Sequence, residues 1–391
     1  MKSLSPYWRG SLYFIAFWGS LGSIVGFFGV RWIELGILPA QLGLLAIFGP
    51  IAGFTLAPII SRIADARGTH RQIIAGSLFF MGLVLSLGVF VHDFTGALIL
   101  SIATAIAASP LGSVGDGLIA RMASNNGLQF GQMRLWGSLS FAIASAVFGF
   151  VYSKTGYLPM FLICGVGLMS MIPLALGLEP SKDKEIVLET PEKPLLEPAQ
   201  SAPLQPSKPK FESSLIVILL VNLLIGLGLG FTGPYYGVRV GQLGGDAAQI
   251  GFFFSIVALA ELPTMLYEKR IAKRLGDAGS LLLAGVLYTV AHLSYTLAPN
   301  ATWMTFSACF QGLAFGLFFV GSVRMVDVRA GALISTLQSW RNAMLGGVAP
   351  LVGAGVGGWV AGQYTVQGVF ALTTAIMLVS SIVIFATRKR L

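Results

Sequence analysis

The sequence predicts an all-α membrane protein of twelve transmembrane helices in two pseudo-symmetric six-helix bundles. Three observations predict it. Hydrophobic residues make up 55% of the 391-residue chain and charged residues only 10%, against roughly 25% in soluble domains, so lipid solvates most of the surface. One long polar stretch interrupts the chain: Glu179–Glu212 holds seven prolines, five lysines and seven carboxylates. It carries too little apolar surface to offset its ordering entropy and reads as a solvated linker. Finally, two short motifs recur at nearly one offset on either side of it, which points to a duplicated unit. The expected domains are 1–178, a cytoplasmic linker 179–213, and 214–391.

A spanning helix takes about 20 largely apolar residues. Six such segments precede the linker, near 10–30, 40–60, 72–91, 95–118, 134–153 and 158–178. Six follow it, near 214–236, 247–267, 280–298, 301–323, 333–360 and 366–387, the eleventh interrupted by Arg341. The runs are continuous rather than alternating, so they are helices and not barrel strands. The 49 glycines suit close-packed membrane helices.

Basic residues set the orientation. With both termini cytoplasmic, 22 of the 25 Lys and Arg lie on the inner side and only Arg31, Lys154 and Arg239 outside. That positive-inside bias puts both termini on the cytoplasmic side; the expected localisation is that of a multi-pass protein of the inner (plasma) membrane. The net charge of +9 sits at helix ends and gives no sign of nucleic acid as a partner. Met1–Arg9 is too short for a signal peptide, and the apolar run after it reads as a first span. Cys164 and Cys309 lie within apolar runs and read as buried thiols. His70, His92 and His292 lack metal-ligand spacing, and there is no phosphate-binding loop, so neither a metal nor a cofactor nor direct ATP drive is expected.

The repeat is specific in position. Arg62-Ile63-Ala64-Asp65-Ala66-Arg67-Gly68 follows the second segment, and Arg270-Ile271-Ala272-Lys273-Arg274-Leu275-Gly276 follows the eighth, 208 residues later. Arg134 at the start of the fifth segment is echoed by Arg341 in the eleventh at an offset of 207. At these residues the chain resembles the major facilitator superfamily, whose loop between helices 2 and 3 usually reads Gly-x-x-x-Asp-Arg-x-Gly-Arg-Arg. This sequence keeps Asp65 and Gly68, but has Ser61 for the first Gly and Ala66 for the Arg after Asp. The resemblance implies a major facilitator fold and a gating role for Asp65, bonded to a helix N-terminus of the other bundle, where the dipole favours an anion. A narrower resemblance is to the phenylpropionate-permease-like branch, which is similar to lactose permease and nucleoside–proton symporters. It rests on Ser109-Pro110-Leu111 with Asp116, on Phe130-Gly131-Gln132-Met133-Arg134-Leu135-Trp136-Gly137-Ser138, on Glu261 and on Arg324. It implies proton-coupled uptake of a small organic solute, with sodium the less favoured ion, by a monomer in the bilayer.

Several residues are candidates for that work. Glu261, fourteen positions after Ala247, reads as the one carboxylate deep inside a span. An intramembrane carboxylate faces a cavity or a partner and is a proton-coupling or substrate candidate, with a structural hydrogen-bonded Glu as the alternative. Asp116 and Arg134 suit an inner gate, a substrate contact or a hydrated interfacial pair. Arg324 and Arg341 suit carboxylate binding or cytoplasmic anchoring. Tyr13, Phe17, Asn222, Tyr235, Phe310, Gln311 and Gln338 are expected to line a central cavity with aromatic faces and a few polar contacts; aromatics near helix ends also suit interfacial belts. Gly226, Gly228, Gly230 and Pro234 suit either a break in the seventh helix or close packing. The spans lack paired catalytic groups, so an enzyme is not expected. The leading reading is a proton-coupled symporter of an aromatic acid, nucleoside or sugar working by alternating access. A drug–proton antiporter of the same superfamily is the alternative, and a non-transporting sensor is a further one.

Overall fold

A computed structural model describes residues 4–178, 213–329 and 333–391. The expected linker 179–213 lies almost wholly outside the described residues. The described chain is helical throughout. With no water in the hydrocarbon region, a backbone that satisfies its own hydrogen bonds is required, and the helix supplies this within one segment.

In order, α1 (Pro6–Gly22) continues after a turn as α2 (Phe28–Glu34), and α3 (Pro39–Ala46) runs into α4 (Phe48–Arg67). Next come α5 (His70–Ser86), α6 (Phe94–Pro110), α7 (Asp116–Asn125), α8 (Phe130–Thr155), α9 (Pro159–Ser170) and α10 (Ile172–Leu176). The second half holds α11 (Ser213–Thr232), α12 (Tyr236–Gln242), α13 (Ala247–Leu297), α14 (Ala301–Arg329), α15 (Ile334–Ala343), α16 (Ala349–Gln363) and α17 (Val366–Thr387). Among the described residues, ten continuous helices are long and apolar enough to cross a membrane. The twelve expected spans are recovered because the first is split between α1 and α2, and α13 contains two. The 51 residues of α13 would run roughly 77 Å if straight, more than twice a hydrocarbon core. Gly276, with φ 74°, turns the chain inside it. Gly68, at φ 63°, ends α4. These glycines stand at matching places in the sequence repeat, where only a residue without Cβ takes a left-handed backbone cheaply.

Helix starts are capped by Ser5, Asp93, Asp246 and Thr365, whose side chains accept from backbone N–H groups three residues on. Inside the spans, hydroxyls such as Thr55, Ser86, Thr289 and Thr373 donate to carbonyls four residues back. Large apolar side chains, among them Phe80, Phe306 and Trp359, are exposed, as a surface solvated by lipid requires.

Call the end that carries both chain termini the terminal face and the opposite end the far face. The halves meet towards the far face, where glycines let backbones touch. A Cβ on Gly149 of α8 would come within 2.7 Å of the Ala247 carbonyl oxygen of α13, and one on Gly358 of α16 within 2.8 Å of the Ala40 carbonyl oxygen of α3. The Tyr235 hydroxyl adds a bond to the Pro39 carbonyl at 2.9 Å. Towards the terminal face, α7 and α15 pack on helices of their own halves. In the seventh span, Gly226 and Gly230 lie against the backbone of the eleventh span near Met344 and Pro350, so these glycines serve packing. The break falls later, at the 3₁₀ turn Gly233–Tyr235 that contains Pro234.

This geometry makes Gly149→Val a wedge at the far-face contact. A cysteine placed at Ala46, in the space between the halves, is expected to react several-fold faster with a membrane-impermeant thiol reagent applied at the far face once Gly149 is Val. An unchanged rate would mean that the glycine contact does not hold that face shut.

Candidate functional site

Between the halves lies a chamber of about 470 Å³. It is walled by residues of α2, α3, α4 and α6 from one half and α11, α13 and α16 from the other, including Phe28, Trp32, Leu45, Leu229, Phe254 and Pro350. Among the described residues, its hydroxyl side chains are Ser101 and Thr104, both on α6, and no charged residue lines it.

Outside the residues that line the chamber, and nearer the terminal face, lies a polar group of side chains that serves as its floor. Glu261 is fourteen residues into α13 from its far-face start, roughly 21 Å along the axis. Ser138 is eight residues into α8 from the terminal face, roughly 12 Å. The two depths sum to about one membrane thickness, so antiparallel helices bring these residues level. The Ser138 hydroxyl donates to Glu261 Oε1 at 2.6 Å, across the two halves. Arg134, one turn away on α8, donates from Nη1 to Asp116 Oδ2 at 3.4 Å and lies over the Trp18 ring, 5.4 Å from its centroid. Arg134 is also close enough to Glu261 to interact electrostatically. Phe254 of the chamber wall and Glu261 are seven residues apart on α13, two turns on one face.

A second charge cluster sits inside the other half. The Glu268 carboxylate is fully buried and accepts from Arg324 Nε at 3.3 Å and Nη2 at 3.1 Å. Arg324 also pairs with Asp277 at 2.7 Å, and Arg329 with Asp277 at 2.8 Å. Glu268 is a second covered carboxylate on α13, but at twenty-one residues from the start of that helix it lies near the terminal face, beyond the depth of Glu261. Glu268 looked like a helix-end residue by count, but the eighth span continues to Gly276 and packing covers it. Arg324 is placed in this intra-half cluster. Arg341, 3% exposed, donates to Gln338 Oε1 at 2.8 Å, Ser322 Oγ at 3.3 Å and Asn342 Oδ1 at 2.7 Å, all neutral groups. Its guanidinium lies 5.5 Å from the Phe319 ring centroid.

Asp65 bonds to His70 Nε2 at 2.8 Å and to Arg121 Nη1 at 3.2 Å, within its own half. The expected bond to a helix of the other bundle is not made in this conformation. Its counterpart loop follows the same plan: Arg329, 208 positions after Arg121, holds Asp277. Asp116 and Arg324 are also 208 apart, so the repeat places opposite charges at matching depth.

None of the seven expected cavity residues lines the chamber. Tyr13 is buried and stacked on Phe17, with ring centroids 6.0 Å apart. Asn222 is buried and donates to the Ile218 carbonyl at 2.8 Å. Tyr235 is spent on the inter-half bond to Pro39. Phe310 packs on the hydrophobic core. Gln311 accepts from the Tyr295 hydroxyl at 3.0 Å. Gln338 donates to the Val323 carbonyl at 3.0 Å and to Asp327 at 2.7 Å. Polar type alone does not say which face of a helix a residue occupies, and Asn222, Gln311 and Gln338 find their partners within their own bundle. The chamber wall escaped notice because it is apolar. Phe254 carried a usable signal, since it stands two turns from Glu261. Ser138 carried another in its depth.

The MFS_1 like family matches residues 7–388. The chain belongs to that family. It is similar to a maltose permease of Geobacillus stearothermophilus, 23% identical over 91% of this chain and 88% of the relative. It is also similar to a probable 3-phenylpropionic acid transporter of Escherichia coli (strain K12), 22% identical over 96% of each chain. Among solved structures, the nucleoside transporter NupG superposes with a TM-score of 0.77 at 15% identity, over 99% of this chain and 100% of that one. The protein is thus an integral, multi-pass membrane transporter of the major facilitator type, with a small-molecule substrate.

The Arg324 cluster yields a stability test. Arg324→Ala strands the buried Glu268 carboxylate and is expected to cost about 3–5 kcal/mol, read as an earlier thermal-inactivation midpoint of the purified protein. Adding Glu268→Met should recover much of that loss. Equal losses in the single and double variants would show that the pair is not a coupled unit.

Proposed function

We propose that the protein is a secondary transporter that couples uptake of a small organic solute to protons by alternating access. It sits in the inner membrane with both termini in the cytoplasm, so the terminal face is cytoplasmic; the distribution of Lys and Arg supports this. The moving units are residues 1–178 and 214–391. Far-face contact between the halves, with α7 and α15 held within their own halves, fits an inward-facing state. The names of similar proteins span a sugar, an aromatic acid and a nucleoside, which supports an organic solute.

The observation that carries the reading is the 2.6 Å bond from Ser138 to Glu261. It joins a titratable group to the opposite half at mid-membrane depth. A hydrogen bond to an ionised carboxylate is roughly twice as strong as a neutral one. A proton on Glu261 therefore loosens a link that must break when the halves rock, and loss of the proton remakes it. Asp116 and Arg134, beside it, form the pair whose rearrangement accompanies the motion. Asp65 holds the loop after α4 to α7 through Arg121, so that this part of its half moves as one body.

Glu261→Gln keeps size and hydrogen-bonding capacity but cannot cycle a proton. In proteoliposomes it is expected to abolish uphill accumulation while solute exchange continues, and wild-type accumulation should collapse with a protonophore. Protonophore-sensitive accumulation by the Gln variant would assign the proton to another group.

A further inference from the structure

The chamber and its floor restrict what the solute can be. A sugar offers hydroxyls in every direction, and burying each without a partner is costly. The chamber meets it with two hydroxyl side chains and otherwise apolar or aromatic wall. Its volume, about 470 Å³, suits a compact ring or alkyl body. Charged groups begin only below it: Glu261 lies two helical turns from Phe254, roughly 10 Å along α13.

The floor prefers one kind of head group. Arg134 spends a single long hydrogen bond on Asp116, at 3.4 Å, among the described contacts. Its side chain is 37% exposed. A guanidinium has five N–H donors in a planar fork that matches a carboxylate. The groups near Glu261 are Arg134 on α8, Tyr288 in the second part of α13, and, through Arg134, Asp116 on α7 with Tyr13 beside it. Asp116 and Arg134 cancel each other in charge. An ionised Glu261 then leaves the floor at minus one, which repels an anion. A protonated Glu261 leaves it neutral, with donors free.

We propose that the solute is an amphipathic monocarboxylate, its apolar body in the chamber between the halves and its carboxylate on the unused donors of Arg134, admitted when Glu261 carries a proton. This deepens the transport reading above and rests on it for the coupling. It also explains why solute and proton travel together: each removes the electrostatic obstacle to the other in a site that lipid and protein shield from water. Arg134 stands about one turn beyond the level of Glu261, which is itself two turns from Phe254, so the head lies beyond the end of the body and an acid attached directly to a ring is too short to reach both.

The test is ligand protection of the purified full-length protein against thermal unfolding, since a ligand of the folded state raises its apparent stability. The probes are 4-phenylbutyrate, 4-phenylbutanol, benzoate, sucrose and inosine. We expect 4-phenylbutyrate to protect at concentrations about tenfold below the alcohol or benzoate, the scale of one charge-assisted contact, and sucrose and inosine to give no protection. Glu261→Gln should bind 4-phenylbutyrate at least as tightly as wild type, because the floor is held neutral, whereas a cationic solute would bind it more weakly. Ala108→Phe, which fills the chamber, and Arg134→Gln should each weaken protection by about tenfold or more. Protection by sucrose or inosine overturns the chamber assignment. Equal protection by the alcohol overturns the carboxylate, and equal protection by benzoate overturns the two-point geometry. The acid-to-alcohol comparison uses wild type alone, so the proposal stays testable if a variant does not fold. Binding of the acid without proton-driven flux would defeat the transport reading and leave this one standing; proton-driven flux of a sugar would do the reverse.

Discussion

The structure is governed by the lack of water in the hydrocarbon region. Every backbone polar group must be satisfied within the chain, and every charge must find a partner or a wet surface. The first requirement makes the described chain helical from end to end. The second sorts the charges. Glu268 is buried and held by Arg324, Arg134 leans on Asp116 and the Trp18 face, and Arg341 is wrapped by three neutral acceptors. Glu261 differs from these because its hydrogen-bond partner, Ser138, belongs to the other half.

The duplication supplies a common skeleton, and sequence divergence has assigned the copies different work. Gly68 and Gly276 turn the chain at corresponding places, and Arg121 and Arg329 each hold a loop carboxylate. The same register puts Asp116 opposite Arg324 and Arg134 opposite Arg341. In the first half the acid and arginine pair with each other; in the second, Arg324 turns to Glu268 and Asp277 instead. The first half thus keeps a half-exposed pair, while the second holds its charges within the bundle. The chamber above is built from what duplication leaves at the axis: glycines, prolines and apolar side chains close enough to touch across the halves.

Much of this was legible without coordinates. Twelve spans, their even number and the turn at Gly68 and Gly276 followed from run length, charge and a repeat of 208 residues. These properties are local, or periodic along one chain, and the bilayer penalises any alternative strongly. Two linear clues reached further than expected. The depth of Ser138 on α8 and of Glu261 on α13 already implied that antiparallel spans set them level, and the seven-residue spacing of Phe254 and Glu261 already placed them on one face.

Which face each helix turns to the axis was a matter for the packed bundle. Asn222, Gln311 and Gln338 are polar enough to line a path, yet their partners lie within their own half. Phe28, Trp32 and Phe254 look like ordinary membrane aromatics, yet they wall the chamber. Glu268 sits where a solvated helix end was expected and is wholly covered. The sequence by itself determined the number of spans, their duplication and the scarcity of charge within them, because these follow from the transfer energetics of single segments. The tertiary structure decided the azimuth of each helix and the partner of each charge, because those depend on steric fit among a dozen helices that no one segment contains.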